Sequence, residues 1–255
     1  MLDGVDLAAA PLVGLTLLLL VGIFAGVVNT LAGGGSFVVL PLLIALGLPP
    51  TVANGTSRVG VVVQGIASSW TFWRRGIREG AIILRLSLPM VVGAVVGAAL
   101  ATRLDDALLR PVIGVVLVGW AVILAVRPGR FLAPPPEPRP PTWITYALSL
   151  LIGVYGGFLQ AGVGFPLLAL LVPGLGYDAV RANAIKVSVV LVFTVAALPL
   201  FAVAGQIAWR EGLVLAAGTM TGGWLGAHLQ MRVGAGLVRW AVLVMVLIGG
   251  ITLLR

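Results

Sequence analysis

The sequence predicts an all-α polytopic membrane protein with two inverted repeats, each of about five helical segments with a Gly-rich broken or re-entrant helix. Its 255 residues are 60% hydrophobic and only 9% charged, with a mean hydropathy of +1.15. That is too little charged surface for a soluble domain. Apolar runs of about 20 residues, the length that crosses a bilayer, follow one another along the chain. A Gly-interrupted apolar stretch also occurs twice, which is typical of transporter repeats.

The repeated stretch divides the chain into two halves. It reads AGGGSFVVLPLLIALGLPPTVAN at 32–54 and AGVGFPLLALLVPGLGYDAVRAN at 161–183, and eight aligned residues are identical. We predict one integrated membrane domain with a first transmembrane repeat at 1–126 and a second at 143–255. The Pro-rich segment between them, 127–142, is predicted to be a stiff, extended cytoplasmic linker.

Hydropathy predicts ten helical segments, five in each repeat. They lie at 9–31, 35–48, 51–72, 82–101, 107–126, 143–161, 165–176, 178–203, 212–229 and 236–254. The second segment of each repeat is too short to cross comfortably, so it is either a steep short span or one arm of a re-entrant hairpin. Both alternatives give each half an odd net number of crossings, and two such halves in tandem lie in opposite orientations.

The charges orient the chain. If both termini lie outside, two basic segments fall on the cytoplasmic side. They are the connector with Arg74, Arg75 and Arg78, and the linker with its Arg residues. The net charge of +8 is thereby explained by the positive-inside rule rather than by nucleic-acid binding.

The composition excludes several kinds of site. Because Cys is absent, disulfides, thiol catalysis and Cys-ligated metals are excluded. His228 is the only His and cannot form a metal site alone. We therefore expect no cofactor, no metal and no catalytic residue.

The two Gly-rich breaks predict a binding site. Glycine lets the backbone turn and lets a ligand approach closely. A helix that restarts after such a break presents free N–H groups and the positive end of its dipole, which favours an anion. The alternative is that these Gly residues only allow close helix packing.

The third segment of each half adds polar side chains. Asn54, Ser57 and Arg58 share one helix face, as do Asn183 and Lys186. Arg58 and Lys186 lie about two turns, or roughly 10 Å, inside their spans. Ionisable groups at that depth indicate function, the alternative being that each snorkels to an interface or is neutralised by a backbone carbonyl. Because acidic residues are nearly absent from the spans, a cation site or a carboxylate proton relay is disfavoured.

Three further polar residues flank these features. Asn29 and Gln160 precede the breaks and either bind a ligand or cap broken backbone. Asp178 precedes the third segment of the second half and is predicted to be its N-cap.

GIFAGVVNTLAGGGSFVVLPLLIALGLPPTVANGTS resembles the N-terminal signature of the sulfite exporter TauE/SafE family of membrane permeases, and GVYGGFLQAGVGFPLLALLVPGLGYDAVRANAIKVS resembles its second copy. The resemblance covers essentially the whole chain. It implies a permease for sulfur-containing anions, such as sulfite, sulfoacetate or other sulfonates, in the bacterial inner membrane. The second copy departs from the first by having Val163 and Phe165 in place of Gly34 and Ser36, which makes its contact to an anion weaker.

The candidate substrate-binding residues are the positions that match the family motif, together with the two deep cations. They are Asn29, Gly33, Gly34, Gly35, Ser36, Asn54, Thr56, Ser57, Arg58, Gln160, Gly162, Gly164, Asn183 and Lys186.

These observations predict a secondary transporter that works by alternating access at a midplane site between the repeats. The alternatives are a passive anion channel and an intramembrane enzyme that uses Ser36. The predicted partners of the protein are a small anion and the lipid bilayer. The sequence leaves open the anion, import or export, the coupling ion (a proton or another) and whether the chain forms a homo-oligomer.

Overall fold

A computed structural model describes residues 11–126 and 139–233, and every regular element in these two ranges is helical. The helices are α1 (Pro11–Leu31), α2 (Ser36–Ala45), α3 (Pro50–Arg74), α4 (Gly80–Ala101), α5 (Asp106–Val126), α6 (Trp143–Phe158), α7 (Gly164–Ala169), its π-helical continuation (Leu170–Gly174), α8 (Ala179–Val203) and α9 (Trp209–Val233). Each predicted segment in these ranges is present within a few residues. The predicted segment 236–254 and most of the linker lie outside the described residues.

Three of the described helices are long and apolar enough to cross a membrane. They are Leu12–Leu31, Gly80–Ala101 and Ala179–Val203. The predicted cap of α8 is confirmed, because Asp178 Oδ1 accepts hydrogen bonds from the N–H groups of Val180 and Arg181, both at 3.0 Å.

The first Gly-rich break folds α1 and α2 into a helical hairpin. Gly33 takes a φ of +85°, which side-chain-bearing residues rarely adopt. The turn is so tight that a methyl group on Gly35 would overlap the Ala25 carbonyl. α2 then runs back along α1, and Gly47, with a φ of +91°, turns the chain into α3.

The second break forms a matching hairpin from α6 and α7. Gln160 and Gly162 both have positive φ, at 62° and 71°. The Arg139 N–H, just before α6, donates to the Leu175 carbonyl at 2.9 Å. The chain therefore returns to the end of the bundle from which α6 starts. Both alternatives for the short segments return the chain in this way, and the close approach of Gly33 to Gly164 at the two hairpin tips favours the re-entrant one.

Small residues hold each hairpin's long arm against a helix of the other half. Gly26 in α1 faces Gly222 in α9, and Gly97 in α4 faces Val154 in α6, with too little room for a methyl group at either glycine. Helix backbones come this close where small residues line the interface. In both pairs, residues later in one helix contact residues later in the other, so the paired helices run parallel.

Helices α3 and α8 pass each other in opposite directions at the centre of the molecule. Gly55 lies against Phe201, Gly65 packs on Leu191, and the hydroxyls of Ser69 and Ser188 are 3.0 Å apart. Residue numbers thus fall along α8 as they rise along α3. A buried apolar core that includes Leu86, Phe193 and Phe201 surrounds this crossing.

Candidate functional site

The two hairpin tips touch at the centre of the bundle. A methyl group on Gly33 would overlap the Cα of Gly164, and one on Gly164 would overlap Gly33. The aromatic side chains of Phe37 and Phe165, which follow the tips, pack with their ring centres 5.8 Å apart. The repeated Gly-rich breaks, 129 positions apart in sequence, therefore form one structural junction.

Lys186 of α8 binds the end of α1. Its ammonium donates to the backbone carbonyls of Asn29 and Thr30, both at 2.9 Å, and to Asn183 Oδ1 at 2.6 Å. Asn183 Nδ2 in turn donates to the Leu31 carbonyl at 2.8 Å. These carbonyls belong to the last turn of a helix, where no intrahelical N–H remains to pair with them. The i, i+3 pair predicted from sequence thus satisfies the broken end of α1.

Arg58 of α3 makes the corresponding contacts with the end of α6. Its two terminal nitrogens donate to the carbonyls of Gly156 at 3.1 Å and Gly157 at 2.7 Å. Asn54 Nδ2 donates to the Phe158 carbonyl at 2.9 Å. Each hairpin is therefore held by an Asn–cation pair from the other half of the chain.

Both cations are buried without a carboxylate partner in the described ranges. The exposed fraction is 0% for Arg58 and 2% for Lys186. The ion pair found among residues 11–126 and 139–233 is that of Arg181 with Glu79. A helix C-terminus carries about −0.5 of a charge, so each helix end offsets only about half of its cation. The remaining positive charge favours an anion nearby.

A small cavity with mostly buried lining residues lies between the hairpin tips. Its polar wall includes Asn29, Ser36, Gln64, Gln160 and Lys186, and glycines of both breaks complete it. It has room for about one water molecule. The first turns of α2 and α7 begin beside it, and neither has a side-chain cap. The N–H groups of Phe37, Val38 and Phe165 nevertheless donate to backbone carbonyls within the breaks. Of the first-turn N–H groups, those of Ser36 and Gly164 have no described partner, so far fewer are available to a ligand than a restarting helix was predicted to offer.

Two amide networks stabilise the cavity wall. Asn29 Nδ2 donates to Gln64 Oε1 at 2.7 Å, and Gln64 Nε2 donates to Thr30 Oγ1 at 3.1 Å. In the other half, Gln160 Nε2 donates to Thr194 Oγ1 at 2.7 Å. Asn29 therefore binds a side chain of α3, and Gln160 binds one of α8. The Oε1 atom of Gln160 is buried and has no described partner.

The structure brings about half of the predicted site residues to this cavity or to a second small cavity that shares its Asn29–Gln64 wall. They are Asn29, Gly33, Gly35, Ser36, Ser57, Gln160, Gly164 and Lys186. The others lie close by with different contacts. Asn54, Arg58 and Asn183 bind the broken helix ends, and Gly162 lies against Phe37 and Trp120. Thr56 Oγ1 accepts from the Ala208 N–H at 2.9 Å. Gly34 lines neither cavity.

The sequence interpretation missed Gln64. This side chain is 2% exposed and lines both small cavities. The signal was present, because Asn54, Ser57, Val61, Gln64 and Ser68 recur at helical spacing and share one face of α3.

The described residues contain no cluster of three or more His, Asp or Glu that could hold a metal ion. His228 instead contacts the carbonyl of Trp224, one turn earlier in α9, at 2.9 Å.

Comparison with known proteins gives a consistent result. The model of the family described as sulfite exporter TauE/SafE matches residues 18–253. A probable membrane transporter protein of Haemophilus influenzae is 27% identical, and the alignment covers 95% of this chain and 92% of that protein. One of Xylella fastidiosa is 31% identical, with 84% of each chain covered. The probable membrane transporter protein YfcA of Escherichia coli is 25% identical over 88% of this chain and 84% of its own. No solved structure matches significantly.

Proposed function

Because this chain belongs to the sulfite exporter TauE/SafE family, we propose that it is a secondary transporter that moves a small sulfur-containing anion across the bacterial inner membrane. The family is one of membrane transporters, and its name supplies sulfite as the first substrate to test. The observation that carries the proposal is the position of Lys186. Lys186 lines the small cavity between the two hairpin tips, and no described carboxylate neutralises its ammonium.

The charge balance of the site sets the class of substrate. A cation that the end of α1 offsets only in part gains from a nearby negative charge, more so in a buried site than in water. The starts of α2 and α7 add the N–H groups of Ser36 and Gly164, which have no described partner and suit the oxygens of sulfite or a sulfonate. A neutral or cationic substrate would find no complementary charge there.

The two halves are proposed to be inverted repeats, one at 1–126 and one at 143–255. The opposite directions of α3 and α8 support this, as does the exchange of Asn–cation pairs between the halves. With both termini outside, the loop with Arg74, Arg75 and Arg78 lies in the cytoplasm.

Alternating access would follow from rocking of one repeat against the other. In the structure the hairpin tips meet, and the cavity has room for only about one water molecule. This arrangement fits an occluded state better than an open channel. A carrier of this kind shows saturable flux and counterflow, whereas a passive channel shows neither.

A thermal-shift panel with purified protein tests the substrate class. Sulfite, thiosulfate, sulfoacetate and taurine are compared with acetate and succinate at equal ionic strength. A ligand present at 100 times its Kd stabilises the folded state by about 2.7 kcal/mol. We expect a rise in melting temperature for at least one sulfur anion and none for the carboxylates. Equal shifts for all anions would overturn the assignment of substrate class.

A further inference from the structure

A second cavity, separate from the hairpin junction, opens where α3 ends and α4 begins. Its volume is about 490 Å³. The lining is mainly apolar, with side chains from α3, α4 and α8 that include Ile66, Phe72, Ile83, Ala184 and Leu191. A cavity of this size and character accommodates part of an acyl chain.

Trp70, Trp73 and Arg78 line the mouth of this cavity, and Arg74 lies beside it over the ring of Trp70. The guanidinium of Arg74 lies 5.2 Å from the ring centre of Trp70, and that of Arg78 lies 5.1 Å from Trp73. The two Trp rings stack on each other with centres 5.2 Å apart. Trp side chains near the end of a membrane helix are typical of the membrane–water interface. Their rings attract the guanidinium groups and so orient the two Arg side chains.

The positive charge at the mouth is unbalanced in the described part of the chain. Arg74 and Arg78 are exposed and form no ion pair there, and neither does the neighbouring Arg75. Glu79, which also lines the cavity, is already paired with Arg181 at 2.5 Å. An anionic group at the mouth would complement these cations, and a planar Arg fork suits phosphate oxygens in particular.

The cavity does not open into the central one. Packing of Leu191 on Gly65 and the 3.0 Å hydrogen bond between Ser188 and Ser69 close its floor. It is therefore a lateral pocket at the interface rather than an entry path for the transported anion.

We propose that this cavity binds an anionic phospholipid, with its phosphate on Arg74 and Arg78 and one acyl chain against Ile83 and Ala184. Basic pockets between transmembrane helices bind such headgroups. Phosphatidylglycerol supplies both features in one molecule, a single negative charge and an acyl chain.

Native mass spectrometry of the full-length protein tests the site. Protein delipidated in detergent is titrated with phosphatidylglycerol or with phosphatidylcholine of the same acyl chains. We expect at least fivefold more bound phosphatidylglycerol than phosphatidylcholine, and a loss of at least fivefold in the Arg74→Ala/Arg78→Ala double variant. Ala184→Phe, which fills the cavity and leaves the charge unchanged, is expected to weaken binding as well.

The chain offers a matched control at the opposite end of α4. Arg103 lines another open cavity, of about 430 Å³, but has no stacked Trp pair. Arg103→Ala is expected to bind phosphatidylglycerol as the unmodified protein does. Equal binding of both lipids, or an equal loss in Arg103→Ala, would overturn the proposal and indicate nonspecific attraction to a basic surface. Because Arg74, Arg78 and Arg103 are all exposed, these substitutions test lipid binding without disturbing the core.

Discussion

At the scale of single residues, the two buried cations have a structural task in addition to the proposed binding task. Lys186 and Arg58 each donate to backbone carbonyls at the end of a helix from the other half. Without those donors the carbonyls of Thr30, Gly156 and Gly157 would be buried and unpaired, at a cost of about 1–3 kcal/mol each, whereas the Asn29 carbonyl also accepts from the Gly33 N–H at 2.9 Å. A cation at these positions therefore joins the halves and also leaves a site with positive charge.

Lys186→Met is expected to lower the free energy of unfolding by about 2–4 kcal/mol, because the Thr30 carbonyl and Asn183 Oδ1 lose their donor. Anion transport should also be lost with the charge. Thermal unfolding in detergent and flux into proteoliposomes measure the two effects. Lys186→Arg, which keeps charge and donors, should retain part of both.

The exposed Arg103→Ala variant is the control for this substitution, and its stability should change by less than about 0.5 kcal/mol. A stable, fully active Lys186→Met protein would contradict both roles of the ammonium.

The sequence predicts the side of the helix on which these residues lie but not the groups they bind. Helical spacing correctly places Asn54 with Arg58 and Asn183 with Lys186, and the N-cap of Asp178 is confirmed. The carbonyls that the cations bind lie 98 to 157 residues away in the chain. Local periodicity has no information about such distant partners. Gln64 was missed because a single amide in an apolar run resembles a tolerated core residue.

At the scale of helices, the hairpins depend on glycine for two separate reasons. Gly33 has a positive φ and also lies against Gly164, whereas Gly47 has a positive φ and open space around it. A comparison of substitutions at Gly33 and Gly47 therefore separates the effect of backbone strain from the effect of contact between the hairpin tips.

Gly33→Ala is expected to be more destabilising than Gly47→Ala. Both carry the backbone penalty of about 1–2 kcal/mol for a left-handed residue. Gly33→Ala adds about 1–3 kcal/mol for the overlap with Gly164. Melting temperatures of the two purified variants provide the comparison. Equal melting temperatures would contradict the close contact between Gly33 and Gly164 at the hairpin tips.

The close pairing of α1 with α9 gives another prediction at this scale. A methyl group on Gly26 would lie 2.6 Å from the Thr219 carbonyl oxygen, while Gly119 in α5 has open space around it. Gly26→Ala should destabilise the protein by about 1–3 kcal/mol. Gly119→Ala should be neutral or stabilising by about 0.5–1 kcal/mol, since Ala favours a helix. Matched thermal melts would refute this packing if Gly26→Ala were also neutral.

The ends of the helices followed from the sequence more readily than their arrangement. Gly and Pro residues limit the segments, so predicted and described bounds differ by only a few residues. Whether 35–48 and 165–176 crossed or turned back was open, because composition is the same in both cases. The contact between the two hairpin tips, Gly33 on Gly164, favours turning back and is a tertiary contact.

At the scale of the whole molecule, the two halves meet along the antiparallel helices α3 and α8. The hydroxyls of Ser69 and Ser188 are 3.0 Å apart across this interface. If transport requires one half to rock against the other, a covalent link at this point should stop it.

The chain has no native Cys, so Ser69→Cys/Ser188→Cys introduces a single pair of thiols. Their spacing suits a disulfide. Oxidation should abolish transport, and reduction should restore it, because the link prevents relative motion of α3 and α8. Each single variant is the control and should be unaffected by oxidant. Full transport by the cross-linked protein would contradict rocking at this interface.

The central claim is that a closed anion site with Lys186 at its edge alternates between the two sides of the membrane. Counterflow of radiolabelled sulfite in proteoliposomes tests it most directly. We predict uptake that saturates, is accelerated by unlabelled sulfite inside the vesicles, and is lost in Lys186→Met but kept in Arg103→Ala. Uptake that rises linearly with concentration, ignores internal sulfite and persists in Lys186→Met would contradict the claim.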